Sequence, residues 1–192
     1  MPNWCTTSYA LIGERKEVRS LYNKMKRLQE RKTPIIPNGF GVAWLGCLVK
    51  SLGKDPKGVY CRGRWYNLKL SDEGVLTFDT EHAWSRPVEV EMLIESAFPS
   101  VKIYFLEEEL GMDIFQTNDE SARYFKQQVI IDEESEGMEY YTEEEAFRRL
   151  SELTGKQVTT WEEADFYISA FNEAQDEAGG EGRIWVHRAE IC

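Results

Sequence analysis

The spacing of hydrophobic residues changes several times along the first half of the chain, and each change marks a predicted element. Residues 4–12 form an uncharged run of β-branched, aromatic and other apolar side chains, which predicts a strand. In residues 14–32 the apolar positions recur every three or four residues, which predicts an amphipathic helix. Residues 33–39 contain two prolines and a glycine, so we expect a loop there. The apolar stripe of the helix consists of Val18, Leu21, Tyr22, Met25 and Leu28.

The pattern then predicts five further elements before residue 107. They are a helix over 44–52 that stops at Gly53, strands over 59–70 and 75–80 around a turn at 71–74, a helix from Pro87 to residue 97, and a strand over 101–106. The order of all these elements is that of a split β-α-β unit, the ferredoxin-like arrangement. We therefore predict an α+β protein with an antiparallel sheet, two helices on one face and an inserted helix at about 33–57.

The sequence after residue 117 predicts further strands and helices added to that core. Residues 124–132 and 138–141 are strand candidates, and residues 183–191 predict a last strand that returns to the sheet. Two helices are predicted between the second and the last of these strands. Each begins with a capping box, in which a threonine is followed three residues later by a glutamate. The two boxes are Thr142 with Glu145 and Thr160 with Glu163, and the helices end at Gly155 and Gly179-Gly180. We predict a core over 1–117 and an acidic β-α-α-β part over 118–192 of the same domain.

Several short motifs at these boundaries resemble a known family. They are Met1-Pro2-Asn3-Trp4-Cys5, Phe78-Asp79-Thr80, Ala83-Trp84-Ser85-Arg86-Pro87, Phe98-Pro99 and Glu108-Glu109-Leu110-Gly111-Met112. In this order they resemble the YubB-type ferredoxin-like family of phage, plasmid and bacterial mobile-element proteins, over roughly residues 1–117. The resemblance implies the same fold. It implies no catalytic residue, because that family has no settled activity.

Charge is distributed unevenly along the chain. Residues 1–105 carry 16 Lys or Arg against 11 Asp or Glu, whereas residues 106–192 carry 7 against 23, within a total of −11. The sequence contains no apolar run long enough to cross a membrane and no export signal at its start, so we expect a cytoplasmic protein. Its four cysteines form no Cys-x-x-Cys pair and are expected to be free thiols.

Catalytic and cofactor motifs are weak. The two histidines, His82 and His187, have no metal-ligand spacing, so a zinc site would have to be assembled from isolated residues. Cys5 or Cys61 with His82 could supply a thiolate and a base, but buried structural cysteines are favoured. The carboxylate clusters lack calcium-loop spacing, and Gly39-Phe40-Gly41 is no phosphate-binding loop. We predict no catalytic residue, no metal and no cofactor, and therefore no enzyme.

Two surfaces remain as candidates for binding. Tyr60, Arg62, Arg64 and Tyr66 alternate along one predicted strand and so share a face, which suits single-stranded nucleic acid on an open sheet. Arg64, however, stands where the RNA-binding motif needs an aromatic residue. A second basic surface decorates the first helix, and its favoured interpretation is a solvated amphipathic face or a partner for the acidic second half of the chain.

The second half of the chain suggests the opposite partner. The acidic candidates are Glu107, Glu108, Glu109, Glu133 and Glu134, which could attract a basic protein, although acidic residues also keep a domain soluble. We favour a non-enzymatic protein that binds another protein through this acidic surface. Nucleic-acid binding is the main alternative, and an unrecognised metal-dependent hydrolase is the third. The sequence leaves the oligomeric state open.

Overall fold

The computed structural model describes residues 3–134, 136–180 and 182–192, and it is an α+β structure. The chain divides into two compact units. The first unit runs to Asp119 and also includes Cys192, while the second unit comprises residues 120–191. The predicted boundary after residue 117 lies two residues from this division, and the prediction that both parts form a single domain stays a prediction.

Within its described residues, the first unit contains three α-helices and five strands. They are β1 (Trp4–Ile12), α1 (Arg15–Gln29), α2 (Leu45–Ser51), β2 (Gly63–Leu70), β3 (Leu76–Ala83), α3 (Val88–Ala97), β4 (Lys102–Glu109) and β5 (Ile114–Thr117). The strand order is β2-β3-β1-β4-β5, and every neighbouring pair is antiparallel. The first strand therefore lies at the centre of the sheet.

One face of this sheet carries the hydrophobic core. Alternate residues of the central strands, such as Tyr9, Phe78 and Phe105, point to that face because side chains alternate along a strand. The rings of Tyr9 and Phe78 stack with their centroids 4.9 Å apart. The apolar stripe of α1 packs on the same face together with residues of α2 and α3, so the three helices share one core. The other face carries polar and half-buried residues such as Ser8 and Tyr66.

Several predicted boundaries in the first unit needed correction. The predicted strand 59–70 begins at Gly63, because β3 ends at Ala83 and residues before Arg62 have no partner strand. The predicted helix 14–32 ends at Gln29, where the apolar stripe has run out and Pro34 lies ahead. The strand β5 was not predicted, since four residues are too few for a clear alternation.

The second unit contains a small sheet and two helices. Its elements are β6 (Val129–Glu133), β7 (Gly137–Tyr141), α4 (Glu143–Thr154), α5 (Trp161–Ala178), β8 (Ile184–Arg188) and the two-residue β9 (Glu190–Ile191). The order β7-β6-β8 is antiparallel throughout. Both helices pack on the face that carries Val129, Ile131 and Ile184. The strand candidate at 124–132 begins only at Val129.

The predicted helix signals are largely confirmed. At α4, the Thr142 hydroxyl accepts from the Glu145 N–H, and the Glu145 carboxylate accepts from the Thr142 N–H. At α5 only half of the box forms, because the Glu163 carboxylate instead accepts from the backbone N–H and hydroxyl of Thr159. Gly155 and Gly179 end the two helices with φ values of 65° and 64°, which glycine adopts without strain.

Candidate functional site

The segment from Tyr60 to Tyr66 has the alternation that its sequence predicts. Cys61, Gly63 and Trp65 are buried. Tyr60, Arg62 and Arg64 are exposed, and Tyr66 is half-buried. Tyr60 lies before the strand, its hydroxyl donates to the Ala83 carbonyl, and burial raises its pKa. Its ring is therefore tied to the end of β3.

Carboxylates interrupt the positive charge of this sheet face. The Arg64 guanidinium lies 3.0 Å from the Glu81 carboxylate on the neighbouring strand. Tyr66 is opposite Asp79, and its pKa is raised first by burial and then by that carboxylate. A shallow hollow of about 550 Å³ beside Arg64 and Tyr66 is also lined by Glu81. The face is thus of mixed charge and does not form a continuous basic stripe.

The predicted acidic surface at residues 107–109 requires a correction. Glu107 is 1% exposed, because it points from β4 into the core face beside the Arg86 backbone N–H and the Gln116 amide. Glu108 is half-buried on the opposite face. The Glu109 carboxylate accepts from the Met112 N–H at 2.7 Å and so holds the turn after β4. These three residues do not present a common surface.

The acidic residues at the end of β6 also make intramolecular contacts. The carboxylate of Glu133 accepts three hydrogen bonds from the Arg149 guanidinium, one of 2.9 Å from Nε and two of 2.7 and 2.9 Å from a terminal nitrogen. One oxygen of Glu134 accepts from the backbone N–H groups of Gly182 and Arg183 at 3.1 and 3.2 Å. Both residues hold the second unit together in addition to carrying charge.

The second unit nevertheless carries the whole net charge of the protein. Residues 120–191 contain 7 Lys or Arg and 18 Asp or Glu, whereas the rest of the chain contains 16 of each. Three of these carboxylates lie on the solvent side of α5, where Glu162, Glu173 and Glu177 are exposed. Phe166 lies between them and is 69% exposed. Steps of four, seven and four residues put these side chains on one helical face.

We call this surface the α5 outer face and define it by Glu162, Phe166, Glu173 and Glu177. A large exposed aromatic ring surrounded by carboxylates can contact a partner that offers both an apolar pocket and positive charge. The sequence carries part of this signal, since Glu162, Phe166, Glu173 and Glu177 recur at steps of four and seven residues. The spacing alone does not show that Phe166 is exposed, because exposure depends on which face of α5 packs on the small sheet.

The first unit has a contrasting groove along α1. Its volume is about 560 Å³. The described residues that line it include no carboxylate and five cationic side chains: Lys16, Arg19, Lys24, Arg27 and Arg31. The ammonium of Lys24 donates to the Ser51 carbonyl at 3.1 Å. This groove lies on the basic surface that the sequence predicts for the first helix, and it offers a concave site for an anion.

Three potential metal ligands meet at one end of the first sheet. Cys5 on β1 is directly opposite His82 on β3, and Glu107 on β4 is opposite Thr7, the next β1 residue on the same side as Cys5. One ligand atom from each of Cys5, His82 and Glu107 lies within 4.8 Å of the other two. All three residues are buried. The fold thus assembles residues that are widely separated in sequence.

The surroundings of this cluster keep its groups uncharged or paired. Burial lowers the pKa of His82 to about 4, with the Ser85 backbone acting in the opposite direction, so the imidazole is neutral at pH 7. Burial, and then Glu107 and Glu109, raise the pKa of the Cys5 thiol to about 12. The thiol donates to the Trp84 carbonyl at 2.8 Å. A neutral thiol and a neutral imidazole do not form an activated nucleophile and base.

Comparisons with models of protein families, with curated proteins and with solved structures find no match for this chain. Within the described parts of the chain, no helix combines the length and the apolar character needed to cross a membrane.

Proposed function

We propose that this protein binds a basic surface of another protein through its second unit. The observation that carries the proposal is the location of the charge, since residues 120–191 account for the full net charge of −11. Such a concentration of one sign attracts and orients a partner of the opposite sign. The expected setting is the cytoplasm, and the proposal includes no catalytic step.

The α5 outer face is the part of the second unit that suits this role best. Glu133 and Glu134 are engaged by Arg149 and by backbone N–H groups, so their charges are partly neutralised within the chain. Phe166 supplies an apolar anchor in the middle of an acidic face. Buried aromatic anchors contribute a large share of the binding energy at protein interfaces, while surrounding charges set the rate and the choice of partner.

Removal of the anchor tests this proposal. Phe166→Ala should weaken capture of the basic partner from host extract by about tenfold or more, because truncation of a central aromatic residue costs about 2 kcal/mol or more. Met92→Ala is the matched control, since Met92 is 62% exposed on a helix of the first unit. Equal capture by wild type and by Phe166→Ala, or equal loss in both variants, would contradict the assignment of the α5 outer face.

A second candidate function is binding of a nucleic-acid backbone along α1. The specific observation is the groove of about 560 Å³ with cations at positions 16, 19, 24, 27 and 31 and no carboxylate among the described residues of its lining. This arrangement favours phosphate more than the sheet face does, because Glu81 and Asp79 lie beside Arg64 and Tyr66. Phosphate contacts release counterions, so such binding weakens steeply with salt.

A labelled single-stranded oligonucleotide separates the two nucleic-acid surfaces. If the α1 groove binds it, Arg19→Glu with Arg27→Glu abolishes the anisotropy change, whereas Arg62→Glu with Arg64→Glu leaves it. The reverse result would assign binding to the sheet face. The absence of binding by wild type at low salt would remove this candidate function.

The ferredoxin-like assignment and the relationship to the YubB-type family are also proposals. They are supported by the strand order β2-β3-β1-β4, by its antiparallel pairing and by helices α1 and α3 on the same face. Of the motifs quoted above for the family, those at 83–87, 98–99 and 108–112 lie at the ends of these elements, the one at 78–80 lies within β3, and the first falls partly outside the described residues. No functional residue follows from this relationship.

A further inference from the structure

An unpartnered nitrogen marks the cluster at the end of the first sheet. His82 is completely buried, and its Nε2 lies 2.7 Å from the Thr7 hydroxyl. Among the described residues its Nδ1 makes no hydrogen bond of ordinary geometry, although the Ser85 backbone acts on the ring and raises its pKa. A buried polar atom of this kind costs free energy unless something satisfies it. The thiol of Cys5 and the carboxylate of Glu107 are the neighbouring ligand groups.

We propose that Cys5, His82 and Glu107 bind a divalent cation that favours sulfur and nitrogen ligands, with Zn²⁺ as the representative ion. Thiolate, imidazole and carboxylate are the three ligand types that Zn²⁺ takes in proteins. With ligand bonds of about 2.0 to 2.3 Å, donor atoms around a tetrahedral zinc ion lie about 3.5 Å apart. In the structure the three donor atoms lie within 4.8 Å of one another, so only a small inward movement of the side chains would bring them to the distances that zinc requires.

The groups around the cluster match the outer shell of such a site. If Nδ1 binds the ion, the Nε2–H donates to the Thr7 oxygen, which fixes the tautomer and the ring orientation. The two oxygens of Glu107 accept from the Arg86 N–H at 2.7 Å and from the Gln116 amide at 2.6 Å, so the carboxylate is also oriented. Outer-shell partners of this kind hold the ligands in place before an ion arrives.

The charges of the site balance when the ion is bound. The Cys5 thiol gives up its proton to solvent, and the resulting thiolate and the Glu107 carboxylate together neutralise a divalent ion. Arg86 pairs with Glu91 and also approaches Glu107 at 3.8 Å, and the ion, the guanidinium, the thiolate and the two carboxylates sum to zero charge. Three protein ligands leave one position of a tetrahedral shell for a water molecule. This inference is independent of the protein-binding proposal, which concerns the second unit.

Metal titration of the full chain tests the inference. All proteins carry Cys192→Ser, because that thiol is exposed and could bind metal by itself. After removal of metal and dialysis against Zn²⁺, we expect one equivalent of zinc per chain by elemental analysis. Cys5→Ser and His82→Gln should lose it, while Cys47→Ser and Cys61→Ser, which alter buried cysteines outside the cluster, should keep it.

Cobalt substitution provides a readout that needs no ligand variant. Co²⁺ added to the Cys192→Ser protein should produce a thiolate-to-cobalt charge-transfer band. Thr7→Val removes the hydroxyl that orients the His82 ring, and it should weaken the affinity for Co²⁺ by about tenfold or more. Failure to bind Zn²⁺ stoichiometrically, a cobalt spectrum without the thiolate band, or binding that survives Cys5→Ser would each overturn the inference.

Discussion

At the residue scale, the buried charges around Arg86 have the largest predicted effect on stability. Its side chain is 19% exposed, pairs with Glu91, approaches Glu107 at 3.8 Å and lies 3.6 Å from the centre of the Phe105 ring. Without the guanidinium, Glu91 and Glu107 would be left close together in the core. Burial raises the pKa of Glu91 even with Arg86 present.

Arg86→Ala should therefore lower the free energy of unfolding by about 3 kcal/mol or more, since loss of one partner leaves buried carboxylates uncompensated. Urea unfolding followed by circular dichroism measures this loss. Arg64→Ala serves as the control, because its ion pair with Glu81 is about half exposed and such pairs contribute about 0 to 1 kcal/mol. Similar losses for both variants would contradict this account of the core.

His82 gives a pH dependence with a definite sign. Its folded pKa of about 4 lies below the ordinary 6.5, so between these values the unfolded chain binds a proton that the folded chain does not. Stability is unaffected by this group above pH 6.5 and falls as the pH is lowered toward 4, by at most about 1.4 kcal/mol per pH unit. Urea unfolding between pH 6.5 and 5 in the presence of a chelator should show a flatter slope for His82→Gln. Parallel slopes for both proteins would show that the imidazole is already charged when folded.

At the element scale, hydrophobic periodicity and capping patterns predicted which elements form, but they did not predict where each strand begins and ends. The first strand was predicted at 4–12 and is observed there, because a long uncharged run admits one register in the sheet. The strand β2 and the helix α1 were predicted too long, since their limits depend on the partner strand and on packing rather than on local composition. The bulge near Asn67, with φ of 53°, likewise depends on pairing with β3.

The capping box of α4 provides the test at this scale. Thr142→Ala removes the acceptor for the Glu145 N–H and a donor to the Glu145 carboxylate, and should destabilise the start of α4 by about 1 kcal/mol. Faster hydrogen exchange of the first-turn amides of α4 would report the loss. Thr142→Ser keeps the hydroxyl and should exchange like wild type, and unchanged exchange in Thr142→Ala would show that the cap contributes little.

At the scale of the whole molecule, the sequence predicted the sign of the charge asymmetry, and the structure locates it. The strict division at residue 120 gives a first unit with balanced charge and a second unit with the full excess of carboxylates. The individual site residues were harder to predict, because their roles depend on contacts across strands. Glu107 is far from Cys5 and His82 in sequence, and only the register of β1 with β3 and β4 brings the three together.

Charge reversal in two variants of equal net charge tests the proposed function most directly. Glu173→Lys with Glu177→Lys alters the α5 outer face, while Glu73→Lys with Glu95→Lys makes the same change of charge at exposed positions of the first unit. Wild type and the control double variant of the first unit should capture a basic protein from nuclease-treated host extract. The α5 double variant should no longer capture it. Capture by the α5 pair at the level of wild type, or equal loss in both double variants, would contradict a role for this face.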